Sequence, residues 1–371
     1  MKIVADDKIP FLPGAFESAG CQAVYLPGKE ISPEDLRDAD ALIVRTRTKC
    51  DKSLLQESKV KFVATATIGF DHIIPEHLTE LGITWCNAPG CNSSSVAQYI
   101  TSVLVTLGDY SGKTLGVIGA GNVGKKVIKC AEALGMKVLV NDPPRMEKEG
   151  KDGFVSLDTI AAESDFITLH VPLTNNGAYP TWQMCGTEFF SKVKKGVVFI
   201  NTSRGETVNT AALIEAKKRG IISKIAVDVW ENEPDIDLEL LEKHSVIATS
   251  HIAGYSTDGK ANATNASVRS VAAALGIKEL ENWDCRDRLP APDEGEEICL
   301  PSGISVADAV KFAVLHSYNV SIDSEDLKRD ASKFEKLRGS YRTRREFFAF
   351  KVRNAAPDSE EILQNLGFVT E

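Results

Sequence analysis

Thr114-Leu115-Gly116-Val117-Ile118-Gly119-Ala120-Gly121-Asn122-Val123-Gly124 decides the fold. Thr114–Ile118 is a short apolar run and reads as a buried strand. Val123–Leu134 carries apolar residues at helical spacing. Between them lies G-x-G-x-x-G in the strand–turn–helix setting that gives the motif its meaning. Gly119 allows the tight turn, Gly121 lets the backbone approach a pyrophosphate, and Gly124 permits close packing of helix on strand. The helix start, with Asn122 and Val123, offers free N–H groups and the positive end of a dipole to phosphate. The next strand candidate, Lys137–Asn141, ends at Asp142, close to the roughly 20-residue spacing expected for an acidic residue that receives the adenosine ribose. A carboxylate there repels a 2′-phosphate, so the cofactor expected is NAD rather than NADP. Arg145 nearby is the one residue that argues the other way.

Outward from this point the alternation of strand and helix continues in both directions. Upstream strand candidates are Lys2–Ala5, Ala41–Val44, Val60–Ala64 and Ile83–Cys86, with a helix opened by Ser32-Pro33. Downstream they are Phe166–His170, Val197–Asn201, Ile225–Val229 and Val246–Thr249, with helices at Thr210–Arg219 and Ala261–Leu275. The pattern predicts an α/β chain of two Rossmann-like, doubly wound parallel-sheet domains. Residues 1–92 form the first segment of a substrate-binding domain, 93–257 the NAD-binding domain, and 258–285 a return segment to the first. Arg286–Gly303 is rich in proline and acidic residues and reads as a linker. The residues beyond it, within 286–371, predict a separate, small α+β C-terminal module. A module so small, attached to a complete enzyme, suits an interface, and a symmetric homodimer is the expected partner.

Bulk properties narrow the function. The chain has 371 residues, 43% hydrophobic and 26% charged, and a formal net charge of -9. The charge argues against a general nucleic-acid binder. No apolar run reaches the roughly 20 residues that span a bilayer, and Asp6 and Asp7 interrupt any signal-like segment. The eight cysteines form no CxxC pair, which reads as reduced thiols of a cytoplasmic protein with no metal site.

Three segments follow strands, where open α/β sheets place their sites. They are Asn201-Thr202-Ser203-Arg204-Gly205, Asp228-Val229-Trp230-Glu231-Asn232-Glu233-Pro234 and Ser250-His251-Ile252-Ala253-Gly254-Tyr255. Taken singly, Arg204 could be a salt-bridged surface arginine, the acidic loop a solvated one, and His251 a hydrogen-bonded core residue. Together they make chemical sense. Histidine takes the hydroxyl proton as hydride leaves carbon, a carboxylate on its far nitrogen fixes the tautomer, and an arginine fork holds a carboxylate and polarises the neighbouring oxygen.

These segments, with Gly119–Gly124, Asp142 and His170-Val171-Pro172, resemble the D-isomer-specific 2-hydroxyacid dehydrogenases over about residues 1–280. The resemblance implies Arg204 as substrate-binding, Glu233 as partner of the histidine and His251 as acid/base. It also implies contacts of Val171 and Asp228 with the nicotinamide cofactor. Ala88-Pro89-Gly90-Cys91-Asn92, Asp142-Pro143-Pro144-Arg145, Ser250–Tyr255 and Arg342–Phe348 are similar to a branch of that family with an extra C-terminal dimerisation domain. Members of that branch oxidise 4-phosphoerythronate at C2 in vitamin B6 biosynthesis. That closer likeness implies substrate contacts from Thr46, Thr67 and Tyr255 and an NAD contact from Gly254. Gln98 departs from the glutamate common in the wider family.

A phosphorylated substrate needs a local basic pocket. Arg45, Arg47 and Lys49 follow the strand Ala41–Val44 and would project together if the chain stayed extended. Arg342, Arg344 and Arg345 form a second candidate group. Two other readings stay open. One is a phosphoglycerate dehydrogenase, disfavoured because the tail does not look like its regulatory domain. The other is an NAD-sensing, corepressor-like binding protein, which turnover would exclude.

Overall fold

The computed structural model describes residues 1–293 and 295–371. The linker reading includes Glu294, which lies outside the described residues. The chain divides into two compact units, one of Met1–Asn92 with Ser256–Pro290 and one of Ser93–Tyr255 with Ala291–Glu371.

The first unit is built on a five-stranded sheet. Its strands are β1 (Lys2–Asp6), β2 (Gln22–Leu26), β3 (Ala41–Val44), β4 (Phe62–Thr65) and β5 (Thr84–Cys86), in the order β2-β1-β3-β4-β5. Every pairing is parallel. The central strands are buried on both faces, which is why they read as continuous apolar runs. The helix Thr257–Leu275 covers one face, with Val268, Val271 and Ala272 packed among Ile3, Ile43 and Ala64.

The second unit holds six parallel strands: β6 (Thr114–Ile118), β7 (Lys137–Asn141), β8 (Phe166–Leu169), β9 (Val197–Asn201), β10 (Ile222–Val227) and β11 (Ser245–Ala248). Their order is β11-β10-β9-β8-β6-β7. The chain leaves β6 outward to β7 and then crosses back to β8, so the glycine-rich turn after β6 stands at the topological switch point, where such sheets bind ligands. β10 begins three residues earlier than the run Ile225–Val229 suggests and stops at Val227. Asp228 and Val229 therefore belong to the loop beyond it.

The tail contributes a third sheet, β12 (Glu297–Cys299), β13 (Lys351–Arg353) and β14 (Val369–Thr370), with helices Val306–Ser317, Val320–Arg329 and Pro357–Leu366. It is not a module set apart from the dinucleotide-binding fold. Ala313, Val314, Val320, Leu363 and Phe350 share one hydrophobic core with Tyr99, Val103, Leu104 and Val127, and Leu327 and Phe334 join the core on the other side of the sheet. The sequence expectation failed here because the apolar faces of the tail helices find partners some 200 residues upstream.

Candidate active site

The glycine-rich turn is shaped as the motif requires. Gly119 has φ +90, and a β-carbon there would meet the His170 carbonyl oxygen at 2.6 Å and Val171 Cγ1 at 2.9 Å. One at Gly124 would meet the Gly119 carbonyl oxygen at 2.1 Å. At Gly121 a β-carbon meets nothing within 4 Å, so this edge of the turn is the open one. Gly121 caps the helix Asn122–Ala133, whose first N–H groups are there for an anion. These residues fit a dinucleotide pyrophosphate. Asp142 Oδ2 accepts the Ala120 N–H at 2.8 Å, and Oδ1 accepts the Arg145 N–H at 3.1 Å. The acidic group is thereby held against the turn. Arg145 is drawn to Glu149 (Nε to Oε1 2.8 Å) and to the Ala120 carbonyl (2.8 Å), so it is already engaged.

The segments that carry Arg204, Glu233 and His251 converge past the carboxyl ends of β9, β10 and β11. Arg204 follows β9 in extended backbone and donates from Nη1 to the Ser203 carbonyl at 2.8 Å. Gly205 then packs on the backbone of Trp230 and Glu231, at distances where a β-carbon would fall 1.9 to 2.4 Å from those atoms. The Arg204 turn is therefore joined to the loop that carries Glu233. Glu233 Oε1 accepts the Trp230 N–H at 3.0 Å, and Oε2 lies 2.8 Å from His251 Nδ1. Burial alone would push the Glu233 carboxyl up. The hydrogen bond and charge of His251, with the Trp230 N–H, outweigh it and hold the carboxyl below its ordinary range. With Nδ1 bound to Glu233, Nε2 is the nitrogen left to exchange a proton with a ligand. The side chains of His251 and Glu233 keep 29% and 20% exposure, enough for substrate to reach the ring.

His170 is the other histidine near the turn. Its ring nitrogens contact Thr168 Oγ1 at 3.1 Å and Thr202 Oγ1 at 3.5 Å, and burial pushes its imidazole down to about 3. Burial keeps it neutral, and among the described residues no carboxylate is hydrogen-bonded to it.

Asp228, just past β10, is tied into the histidine loop. Its carboxylate accepts N–H groups of Ile252 (2.8 Å) and Ala253 (2.9 Å) and the Thr249 hydroxyl (2.6 Å), while its carbonyl accepts the His251 N–H (2.7 Å). Burial raises its carboxyl, and His251, Thr249 and the two N–H groups oppose that. It anchors the histidine loop. His251 itself has φ 57, a left-handed conformation uncommon for a residue with a β-carbon.

In the first unit the substrate candidates lie past the carboxyl ends of β3 and β4. Thr67 donates to the Gly69 carbonyl at 2.7 Å and meets Thr65 Oγ1 at 2.7 Å. The row of Arg45, Arg47 and Lys49 does not form. Residues 46–47 turn, so alternate side chains no longer share a side. Arg45 donates to the Lys8 carbonyl at 2.9 Å and Lys49 pairs with Asp51 at 3.1 Å. Thr46 and Arg47 are exposed in that turn. In the tail group Arg342 is paired with Asp323, and Arg344 is 3% exposed with each of its donor nitrogens engaged by protein.

Two more residues stand beside the site: Arg338, which the sequence reading passed over, and Gln98, which it noted only as a departure from the wider family. Arg338, from the helix Phe334–Gly339, donates to the Tyr255 hydroxyl at 3.1 Å and helps hold Glu233 ionised. Gln98 is fully buried, accepting from Arg344 Nε at 3.1 Å and donating to the Arg345 carbonyl at 2.9 Å. Only tertiary packing brings either one here. Among the described residues no group of three or more His, Cys, Asp or Glu is placed to hold a metal ion, and no helix is long and apolar enough to cross a membrane.

Residues 96–253 match the family model of the D-isomer specific 2-hydroxyacid dehydrogenase NAD binding domain, and residues 289–367 match a domain of unknown function, DUF3410. The chain is 49% identical to the erythronate-4-phosphate dehydrogenase of Bacteroides fragilis, over 95% of this chain and 99% of that one. It is 40% identical to that of Hahella chejuensis, over 95% and 94%. Among solved structures it is similar to the D-lactate dehydrogenase of Aquifex aeolicus complexed with NAD and lactic acid. That match has 29% identity and a TM-score of 0.61, covering 76% of this chain and 97% of that one. The NAD-bound 3-phosphoglycerate dehydrogenase of Entamoeba histolytica gives 28% and 0.62, covering 75% and 97%. With an intact Arg204, Glu233 and His251 set, a shaped glycine turn and near full-length relatives, the chain belongs to the erythronate-4-phosphate dehydrogenase family of D-isomer-specific 2-hydroxyacid dehydrogenases.

Proposed function

We propose that the protein oxidises 4-phospho-D-erythronate at C2 to 3-hydroxy-2-oxo-4-phosphobutanoate with NAD, a step of pyridoxal 5'-phosphate biosynthesis. The observation that carries this is the 2.8 Å contact of His251 with Glu233, on a loop packed against the Arg204 turn, in a chain similar from end to end to enzymes named for that substrate. His251 takes the C2 hydroxyl proton, and Glu233 stabilises the imidazolium that results. Arg204 holds the carboxylate and polarises the C2 oxygen. NAD, when bound, supplies the hydride acceptor. Gly119, Gly121, Asn122, Val123 and Gly124 would hold its pyrophosphate and Asp142 its ribose, with Val171, Asp228 and Gly254 lining the nicotinamide end.

We assign the substrate contacts to Arg45, Thr46, Arg47, Thr67 and Tyr255. Their support is their place past the strand ends and, for Tyr255, four residues after the base. Purified protein should form NADH from 4-phosphoerythronate, and His251→Ala should not; failure of the wild type would refute the assignment.

We further infer a cytoplasmic homodimer joined through the tail. Eight free cysteines support the compartment. Phe312, Ile322 and Phe348 of the tail keep 43%, 47% and 52% exposure, which supports the interface. Truncation is a poor test because the tail shares the main core. Sedimentation of Phe312→Glu with Ile322→Glu is a cleaner one, and an undiminished dimer would exclude that face.

A further inference from the structure

The loop His251–Ala253 is gripped from two sides. Its N–H groups are held by Asp228, as described above. Its carbonyls are held by the tail: Arg344 donates from Nη1 to the Ile252 carbonyl at 3.3 Å and from Nη2 to the Ala253 carbonyl at 2.8 Å. The same Nη2 reaches the carbonyl and the hydroxyl of Ser95, both at 2.6 Å, and Nε donates to Gln98. Ser95 Oγ in turn donates to the Ala253 carbonyl at 2.9 Å. The guanidinium lies 4.0 Å from the Tyr318 ring centroid, which favours the cation from above.

Burying a cation this deeply is costly unless every donor is satisfied. The fork of an arginine suits the task because its donors diverge in one plane toward separate acceptors. His251, meanwhile, holds a left-handed backbone angle, and such strain persists only where the surroundings over-determine it. Asp228 and Arg344 are those surroundings.

We propose that Arg344 is a positioning residue for the reaction: by fixing the Ile252 and Ala253 carbonyls it keeps His251 in its strained backbone conformation, with Nδ1 on Glu233. The C-terminal tail is then a working part of the catalytic loop as well as the proposed dimer surface. The proposal rests on the reading of His251 as acid/base.

The test uses full-length protein with Arg344→Lys, which keeps the charge but cannot span Gln98 and both carbonyls at once. A milder Ser95→Ala removes one strut without burying an unpaired charge. Arg344→Lys should lower kcat by about tenfold or more, since small misplacements of a reacting group carry costs of that order. NAD affinity should change much less. In a His251→Ala background the same substitution should cause no further loss of kcat, because groups acting through one another are not additive. Ser95→Ala should move kcat in the same direction by less. Independently of substrate, the downfield imidazole N–H resonance of His251, identified by its loss in Glu233→Gln, should broaden or shift in both variants. Unchanged kcat and resonance in a folded Arg344→Lys would overturn the proposal. So would equal fold-losses with and without His251. If Arg344→Lys does not fold, a Ser95→Ala enzyme with wild-type kcat and resonance overturns it. A wild type that oxidises no acid offered would refute the proposed function instead, and the resonance would still test the clamp.

Discussion

Gly205 lies so close to Trp230 that a β-carbon on it would fall 1.9 Å from the Trp230 carbonyl carbon. The glycine is needed for approach rather than for a special backbone angle. Through this contact the turn presenting Arg204 and the loop presenting Glu233 become one body. Gly205→Ala must push the two apart. Its cost should be at least the 1–3 kcal/mol or so of an overpacked core, with kcat falling beyond what the loss of stability explains. Thermal unfolding and steady-state kinetics on the same preparation check this. A stable, fully active variant would mean the two loops act separately.

Removing the base should separate chemistry from binding. His251→Ala should lose roughly 10²–10⁴-fold in kcat, the usual range for a deleted general base, while NAD still binds, as NAD titration of the variant would show. Normal turnover would leave His251 as a structural residue of the loop.

Much of the framework is legible in the residues alone, and what escaped has physical causes. Ala41–Val44, Thr114–Ile118 and Val197–Asn201 are read correctly to the residue because a parallel strand buried on both faces must be apolar throughout. β2 was missed although Ala23-Val24-Tyr25-Leu26 is apolar; it is an edge strand whose residues are only partly covered, and it follows a stretch with no clear helical pattern. Arg204, Glu233 and His251 were visible because each follows a strand. The basic row after β3 was misjudged because alternation holds only while the chain stays extended. Arg344 was invisible as a buried residue, since a charge run looks like surface until its acceptors, Ser95 and Ala253, are brought to it.

Asp142 should set the choice of cofactor. Asp142→Ala removes the negative charge that disfavours a 2′-phosphate, so the kcat/KM ratio of NAD to NADP should narrow. The carboxylate also braces Ala120, so activity with NAD should fall in the same variant. An unchanged ratio would assign the ribose contact to another residue.

Acid should weaken the fold partly through Glu233. Its carboxyl in the folded state lies below its ordinary value of 4.5, so in that pH range the unfolded chain binds more protons than the folded one. The pair with His251 therefore contributes stability above the ordinary carboxylate range. That stability is lost as pH falls through the depressed folded value. Wild-type Tm should fall more steeply below about pH 4.5 than that of Glu233→Gln. Parallel curves would show that ionised Glu233 adds nothing to stability.

The central claim is the identity of the reaction, and one comparison tests it most directly. NADH formation should be followed with 4-phosphoerythronate, erythronate and 3-phosphoglycerate at matched concentrations. The proposed function predicts a strong preference in kcat/KM for 4-phosphoerythronate. Loss of one charge-assisted phosphate contact alone is worth roughly 1.5–3 kcal/mol, or about 10- to 150-fold. Equal use of erythronate, a preference for 3-phosphoglycerate, or no turnover of any of the three would contradict the account.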